Sequence, residues 1–128
     1  MESKYMKIIG PKENISVDPT AKTVSPVIFN ASSGKIIVGK YAFFGSGVML
    51  LAGSHDYTLK GKERQDHWYT EGYDIKIGEG TWISSGVLIL GPCIIGDNAV
   101  IGAGSVVHND IPANELWYGN PIKFIRKI

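Results

Sequence analysis

The chain of 128 residues has little cysteine, little net charge and no long apolar run. Its single cysteine, Cys93, excludes an intramolecular disulfide framework and a cysteine-rich zinc site. The formal net charge of +1 gives no sign of a polyanion such as nucleic acid as partner. The apolar runs are far shorter than the roughly 20 residues of a membrane span, and the first residues lack the apolar stretch of a signal peptide. These absences predict a cytoplasmic protein with one domain, residues 1–128, and no membrane span.

Glycine, in contrast, is abundant, with 16 of 128 residues against an average usage of about 7%. The glycines belong to a repeat of six residues. From Ile77 the chain divides into IGEGTW, ISSGVL, ILGPCI, IGDNAV, IGAGSV and VHNDIP. The first residue is Ile or Val, the second is mostly small, and the fifth is small or β-branched. The same frame occurs earlier, led by Val38, Phe44 and Leu50 and, before three extra residues at 35–37, by Val17, Thr23 and Phe29.

A period of six residues fits neither an α-helix nor one long strand. It suits a short strand whose branched apolar residue points inward, followed by a turn in which glycine or asparagine adopts a positive φ. Three such units close a triangular coil of about 18 residues, and stacked coils bury a continuous core. Cys93 takes the fifth position of its repeat, so we expect it to face the narrow core and to form no covalent intermediate.

Over residues 15–126 these repeats resemble the hexapeptide-repeat acyltransferases. The resemblance implies an all-β fold, a left-handed parallel β-helix, with one extruded loop (56–76) and a short C-terminal tail (113–128). The left hand comes from the family alone, because crossover connections are usually right-handed. Since the repeats already begin at Val17 and no helical segment is predicted before them, we expect a relative of the small sugar and surface-polysaccharide O-acetyltransferases.

The extruded loop interrupts the repeats between LLAGSH and Ile77. A buried loop would leave backbone polar groups unpaired, so it must run over the surface. We expect it to form one wall of a pocket. Asp56, Tyr57 and Trp68 are its predicted acceptor-binding residues, the aromatic pair offering flat surfaces to a sugar ring. The alternative is that the aromatic side chains only hold the loop against the body.

His55 stands at the start of this loop. Its segment, GSHDY, resembles the one that carries the catalytic histidine of sugar O-acetyltransferases, which implies that His55 is the general base. A hydroxyl is a poor nucleophile at neutral pH, and a neutral imidazole can take its proton as it attacks a thioester. The partner that orients the imidazole stays open between a backbone carbonyl and an acidic residue of the loop (Glu63, Asp66, Glu71 or Asp74).

Two repeats, IGEGTWISS and IGAGSVV, resemble the donor-binding segments of the family. The resemblance implies that Trp82 flanks the thioester of acetyl-CoA and that Ser85 and Ala103 contact the pantetheine through backbone groups. Gly104 would leave room for that chain. The alternative is that the glycines serve only the turns that every repeat requires.

The C-terminal sequence ELWYGNPIKFIRKI also resembles the end of the family, with a turn at GNP. Lys123 and Arg126 are the predicted ligands of the CoA phosphates, since lysine and arginine pair well with phosphate. Asn109 stands where relatives often carry a lysine, so only a backbone contact to the donor is expected there.

Together these features predict an acetyl-CoA-dependent O-acetyltransferase that acts directly on a hydroxyl of a sugar or surface polysaccharide. We expect a homotrimer with sites between subunits and no metal. A Walker phosphate loop is lacking. Two alternatives are a non-catalytic scaffold and a zinc enzyme of the γ-carbonic anhydrase type. The zinc enzyme is disfavoured because His55, His67 and His108 do not have the spacing of its ligands.

Overall fold

The computed structural model describes residues 1 and 3–128. These residues form fifteen short strands, one α-helix, α1 (Gly61–Asp66), and two 3-10 turns, Ser3–Tyr5 and Lys12–Asn14. In chain order the strands are β1 (Met6–Ile9), β2 (Ile15–Val17), β3 (Lys22–Thr23), β4 (Val27–Asn30), β5 (Ile36–Val38), β6 (Phe43–Phe44), β7 (Met49–Leu51), β8 (Ile75–Ile77), β9 (Trp82–Ile83), β10 (Leu88–Leu90), β11 (Cys93–Ile95), β12 (Val100–Ile101), β13 (Val106–Val107), β14 (Glu115–Gly119) and β15 (Ile122–Lys127).

The strands build three parallel sheets, which are the faces of a triangular prism. Face A contains β1, β4, β7, β10 and β13, and face B contains β2, β5, β8 and β11. Face C contains β3, β6, β9, β12 and β14, with β15 added antiparallel to β14. From β1 to β13 each strand is followed by a strand of the next face, so the chain winds around the prism. Between β13 and β14 an isolated bridge of Ile111 to Ile95 takes the place of a strand on face B. The predicted left-handed parallel β-helix is confirmed.

The leading residues of the repeats stack inside the prism, as predicted. Phe29, Leu50 and Ile89, for example, are register partners on face A and are fully buried. Complete burial of a large apolar side chain contributes about 1.5–3 kcal/mol. The small fifth positions are buried as well, and the hydroxyls of Thr81 and Ser105 there donate to the backbone carbonyls of Gly78 and Gly102.

The first coil begins earlier than the repeat frame, which can be followed back only to Val17. Strand β1 already pairs with β4 in parallel register, from Met6 opposite Val27 to Ile9 opposite Asn30. Gly10, Pro11 and the 3-10 turn that follows interrupt the six-residue spacing between β1 and β2. The interruption hides the first coil from a search for periodicity.

The loop between β7 and β8 leaves the prism at the corner between faces A and B and includes α1. It returns to the prism at Tyr73 and Asp74. The amide of Tyr73 donates to the carbonyl of Ser33 in the preceding coil (3.2 Å), and the carbonyl of Asp74 accepts from the amide of Cys93 in the following coil (3.0 Å). Regular structure resumes with β8 at Ile75. The backbone of Tyr73 and Asp74, where the loop rejoins the prism, therefore lies between two coils.

Glycines make room for this return on both sides. A Cβ atom on Gly34 would lie 2.6 Å from the carbonyl carbon of Tyr73, and one on Gly91 would collide with the carbonyl oxygen of Tyr73. Side chains are therefore excluded at both positions by close backbone approach, since neither glycine has a positive φ.

We expect Gly91→Ala to lower the free energy of unfolding by about 1–3 kcal/mol, the usual cost of overpacking. Chemical denaturation monitored by circular dichroism would measure it. The matched control is Gly53→Ala, whose Cβ would meet only the end of the Asn30 side chain, at 3.0 Å, so a side-chain rotation relieves the contact. Equal stability of Gly91→Ala and the unchanged protein would contradict the close approach.

The C-terminal residues extend face C and then fold back. Strand β14 pairs with β12 in parallel, and Asn120 and Pro121 form the turn into β15. Ile122 is buried at the end of the prism. No helix in the described part of the chain is long and apolar enough to cross a membrane.

Candidate active site

His55 lies at the corner between faces A and B, just beyond β7, where the loop leaves the prism. The two ends of the loop pair here. His55 forms an antiparallel bridge with Trp68, and the amide of Tyr69 donates to the carbonyl of Ser54 (3.0 Å). The pairing brings the residues at the end of α1 against the imidazole of His55.

Two backbone carbonyls hold the imidazole of His55 through its Nδ1 atom. The carbonyl oxygen of Arg64 is 2.8 Å away and that of His67 is 3.0 Å away. A carbonyl oxygen can only accept, so Nδ1 must carry the proton. In the neutral ring, Nε2 is then an unprotonated acceptor. The groups that bond to Nδ1 are thus backbone carbonyls, and no acidic side chain among the described residues bonds to His55.

A cleft of about 340 Å³ opens beside His55. We call it the His55 cleft; its lining is Ile9, Asn30, Ser32, Ser33, Gly53, Ser54, His55 and Trp68. Trp68 stands edge-on to the imidazole, with 6.1 Å between ring centroids. The cleft is therefore built from three successive coils on one side and the returning loop on the other.

Asn30 is a polar member of the His55 cleft that the sequence analysis missed. Its Oδ1 accepts the amide of Ser32 at 3.0 Å, which leaves the side-chain NH₂ group available as a donor. In the sequence Asn30 is the second residue of the repeat FNASSG, and its register partners in the next coils of face A are Leu51 and Leu90. A polar residue at a position that is apolar in the next coils was the available signal.

The predicted acceptor-binding residues do not all line this cleft. Trp68 does, whereas Tyr57 is 81% exposed and lies outside it. Asp56 caps a turn, where its Oδ1 accepts the hydroxyl (2.5 Å) and the amide (3.0 Å) of Thr58. These hydrogen bonds lower the pKa of the Asp56 carboxyl, so it stays ionised. Roles for Asp56 and Tyr57 stay predictions.

Trp82 lies on face C, far from this corner. Its indole stacks on the ring of Phe43 in the coil below, with centroids 5.9 Å apart and planes 12° apart, and each ring is nearly half exposed. Phe43 was not predicted, although it is the sixth residue of its repeat, VGKYAF, as Trp82 is of IGEGTW. An aromatic residue at an outward sixth position was the available signal.

Small residues continue from Trp82 into the corner between faces C and A. Ser85, Ala103 and Gly104 are exposed there, and the amide of Gly104 donates to the carbonyl of Ser85 at 2.9 Å. Open space surrounds Gly104, which has a φ of +72°. We call Phe43, Trp82, Ser85, Ala103 and Gly104 the Trp82 groove. These residues come from three neighbouring coils and so follow one another along the prism axis.

The remaining predicted donor residues lie near the C-terminal end of the prism. Lys123 and Arg126 are exposed on β15, at the end of face C. Asn109 lies beyond β13 on the corner between faces A and B, with its side-chain amide donating to the carbonyl of Asp110 (2.9 Å). Asn109 therefore shares a corner with His55, not with the Trp82 groove.

The predicted site is divided between opposite sides of one chain. In a triangular prism, the corner between faces A and B is the vertex opposite face C. The His55 cleft occupies that corner, whereas Trp82 lies on face C. A single chain cannot bring His55 and Trp82 to one reacting group.

Across the described residues no group of three or more His, Cys, Asp or Glu side chains is arranged to hold a metal ion. The three histidines thus provide no support for the alternative of a zinc enzyme.

Cys93 is buried in the core, as its repeat position predicted. Burial, together with the nearby charge of Asp110, raises the pKa of its thiol to about 12. Because the pKa is raised, the thiol stays protonated and unreactive up to strongly alkaline pH. At pH 8 we expect no labelling of the native protein by Ellman's reagent and one thiol per chain after unfolding in guanidinium chloride. Rapid labelling of the native protein would contradict this placement.

Comparison with known proteins agrees with the repeats. Residues 74–109 match the family model described as bacterial transferase hexapeptide (six repeats). The chain belongs to the hexapeptide-repeat family. This hexapeptide-repeat protein is 32% identical to serine acetyltransferase 2 of Arabidopsis thaliana over 126 residues, which are 98% of the chain and 35% of the relative. The family predicted from the repeats is confirmed.

Two solved structures extend the comparison. A maltose O-acetyltransferase from Clostridium difficile 630 superposes with a TM-score of 0.79 at 34% identity, covering 95% of this hexapeptide-repeat protein and 64% of the other chain. A galactoside acetyltransferase in complex with coenzyme A superposes with a TM-score of 0.56 at 27% identity, covering 98% and 67%. The hexapeptide-repeat protein spans less than half the length of the curated relatives it matches.

Proposed function

We propose that this protein transfers an acetyl group from acetyl-CoA to a hydroxyl of a sugar or surface polysaccharide, with His55 as general base. The observation that carries the proposal is the state of His55: Nδ1 is committed to two carbonyl oxygens, which leaves Nε2 free to accept a proton in the His55 cleft. The similarity to maltose and galactoside acetyltransferases supports the reaction and its substrates.

The chemistry follows from that tautomer. As the acceptor oxygen attacks the thioester carbonyl, its proton passes to Nε2 and a tetrahedral intermediate forms. The imidazolium is stabilised by the carbonyls of Arg64 and His67 at its other nitrogen. Collapse of the intermediate breaks the carbon–sulfur bond, and the proton returns from Nε2 to the CoA sulfur. We propose that the transfer is direct, and the buried Cys93 offers no accessible thiolate for a covalent intermediate.

The Trp82 groove fits the donor. Pantetheine is a thin chain with two amides, which suits a path with small walls and exposed backbone, as at Ser85, Ala103 and Gly104. Trp82 would then flank the thioester. Lys123 and Arg126, farther along face C, would meet the phosphates, and Asn109 of the adjacent subunit would contribute through its backbone.

The His55 cleft and the Trp82 groove can form one site only if they come from two different chains. A contact between the corner of one chain and face C of the next joins unlike surfaces, and such contacts form rings when the rotation closes. We therefore propose a homotrimer with three shared sites. Face A supports it, because Ile28, Met49, Leu88 and Val106 form an outward row of apolar register partners, and such a row is usually covered by a partner.

Release of free thiol from acetyl-CoA tests the function. The purified protein would be incubated with acetyl-CoA and a panel of monosaccharides, oligosaccharides, nucleotide sugars and amino sugars. We expect thiol release that depends on the acceptor, at concentrations of acetyl-CoA like those in the cytoplasm. Because acetyl-CoA is made inside the cell, its use as donor favours a cytoplasmic enzyme. Binding of CoA without turnover of any acceptor would favour the scaffold alternative, and transfer only to amines would contradict O-acetylation.

A further inference from the structure

Tyr41 occupies a backbone conformation that large side chains avoid. It stands in the turn between faces B and C with a φ of +61°. The equivalent turns of the later coils carry Gly80, Asn98 and Asn114, with φ values of +70°, +58° and +59°. Glycine and asparagine tolerate this region, whereas a bulky residue is strained in it. Backbone strain that the fold does not require is concentrated at functional sites. A tyrosine at this turn therefore indicates a function for its side chain.

The ring of Tyr41 borders a pocket of about 410 Å³ on face C. We call it the Tyr41 pocket. Its wall also includes Ala42, Phe43 and Val24, and Tyr41 and Val24 are 59% and 78% exposed. Tyr41 and Phe43 contribute aromatic side chains to this largely apolar surface, and a planar ring can stack on an aromatic face.

Lys22 supplies the charge of the Tyr41 pocket. Within the described part of the chain its ammonium group forms no ion pair. The hydroxyl of Thr20, also in the wall, already has two hydrogen-bond partners within the protein. It donates to Oδ1 of Asp18 (2.7 Å) and accepts a hydrogen bond from the amide of Tyr41 (2.7 Å). Lys22 is therefore the group in this wall that is available to an anion.

The position of the pocket relates it to the acceptor. Phe43 belongs both to the Tyr41 pocket and, through its stack on Trp82, to the Trp82 groove. From Trp82 the proposed donor path runs toward the C-terminal end of the prism, where Lys123 and Arg126 lie. The Tyr41 pocket lies on the other side of Trp82, toward the first coil, and so continues the site away from the donor.

Building on the proposed acetyl transfer, we propose that the Tyr41 pocket binds a planar ring of the acceptor and that Lys22 pairs with an acidic group joining this ring to the sugar. The acceptor class is then a sugar linked through phosphate to a flat ring, as in a nucleotide-linked sugar. The ring lies against Tyr41 and Phe43, and the sugar extends past Trp82 toward His55 of the adjacent subunit.

Three small probes separate the parts of this proposal: UMP has ring and acid, uridine the ring alone, and ribose 5-phosphate the acid alone. Binding is followed by tryptophan fluorescence, because Trp82 adjoins the pocket. We expect UMP to bind best. Tyr41→Asn should weaken UMP and uridine about fivefold or more, and Lys22→Gln should weaken UMP about threefold or more but not uridine. Lys40→Gln, a neighbouring lysine outside the pocket wall, is the matched control.

Stability gives an independent readout, because Tyr41→Asn restores the residue type of the equivalent turns. We expect its melting temperature to rise by roughly 2–5 °C while ring binding falls. Unchanged binding of UMP in Tyr41→Asn would overturn the proposal, and so would displacement of UMP by saturating CoA, which would assign the pocket to the donor. The probes are measured without turnover, so a loss of binding is distinguishable from failure of the acetyl transfer itself.

Discussion

Replacing His55 with alanine is expected to lower kcat about 10²–10⁴-fold, the contribution of a positioned general base. The Kd for CoA should not change, since the imidazole is proposed to take a proton from the acceptor hydroxyl and not to hold the donor. Thiol release under saturating substrates would measure the first quantity, and calorimetric titration with CoA the second. The two results together separate a lost base from a lost fold.

His108→Ala is the matched control, because it removes an exposed imidazole from a turn of the same corner without touching the His55 cleft. Its kcat should match that of the unchanged protein. Full turnover of His55→Ala would refute the assignment of the base. A parallel loss of CoA affinity would instead mean that His55 supports the donor site.

Mixing two impaired variants is expected to restore activity if each site is shared between subunits. His55→Ala retains Trp82, and Trp82→Asp retains His55 but places a carboxylate beside the thioester, which should lower kcat/KM at least about tenfold. In every trimer that contains both variants, one site in three combines the intact His55 of one chain with the intact Trp82 of the next. Activity should recover to about that fraction of the original.

Co-expression with two different affinity tags would supply the mixed trimers, and sequential purification would verify them. A mixture of His55→Ala with His55→Gln serves as control and should stay inactive, since no chain supplies the base. Verified mixed trimers without recovered activity would show that the two halves do not meet. Stable active monomers would refute the shared site as well.

The repeat explains how much of the fold was predictable. Each six-residue unit places its first and fifth residues inside, so Leu50, Ile89 and Cys93 were assigned to the core from spacing alone, and the structure buries them. The same reasoning failed for the first coil. Without a regular interval between β1 and β2, nothing in the sequence distinguishes Met6 and Ile8 from ordinary surface residues.

The sequence proposes candidate site residues but not their arrangement. His55 and Trp82 were identified from short motifs, which do not say where a prism places them. Phe43 and Tyr41 were missed because their roles depend on neighbours one coil away, in a ring stack and in a strained turn. Asn30 was missed because a polar residue at the second position of one repeat does not by itself indicate a cleft.

By itself the sequence determined the triangular coil, its buried core, and the point where the loop leaves it, because a period of six decides locally which side chains face inward. Only the tertiary structure decided that backbone carbonyls of the loop hold His55, and that His55 and Trp82 face opposite directions. Contacts of that kind depend on the path of irregular segments and on the geometry of the closed prism, and neither is written in the repeat.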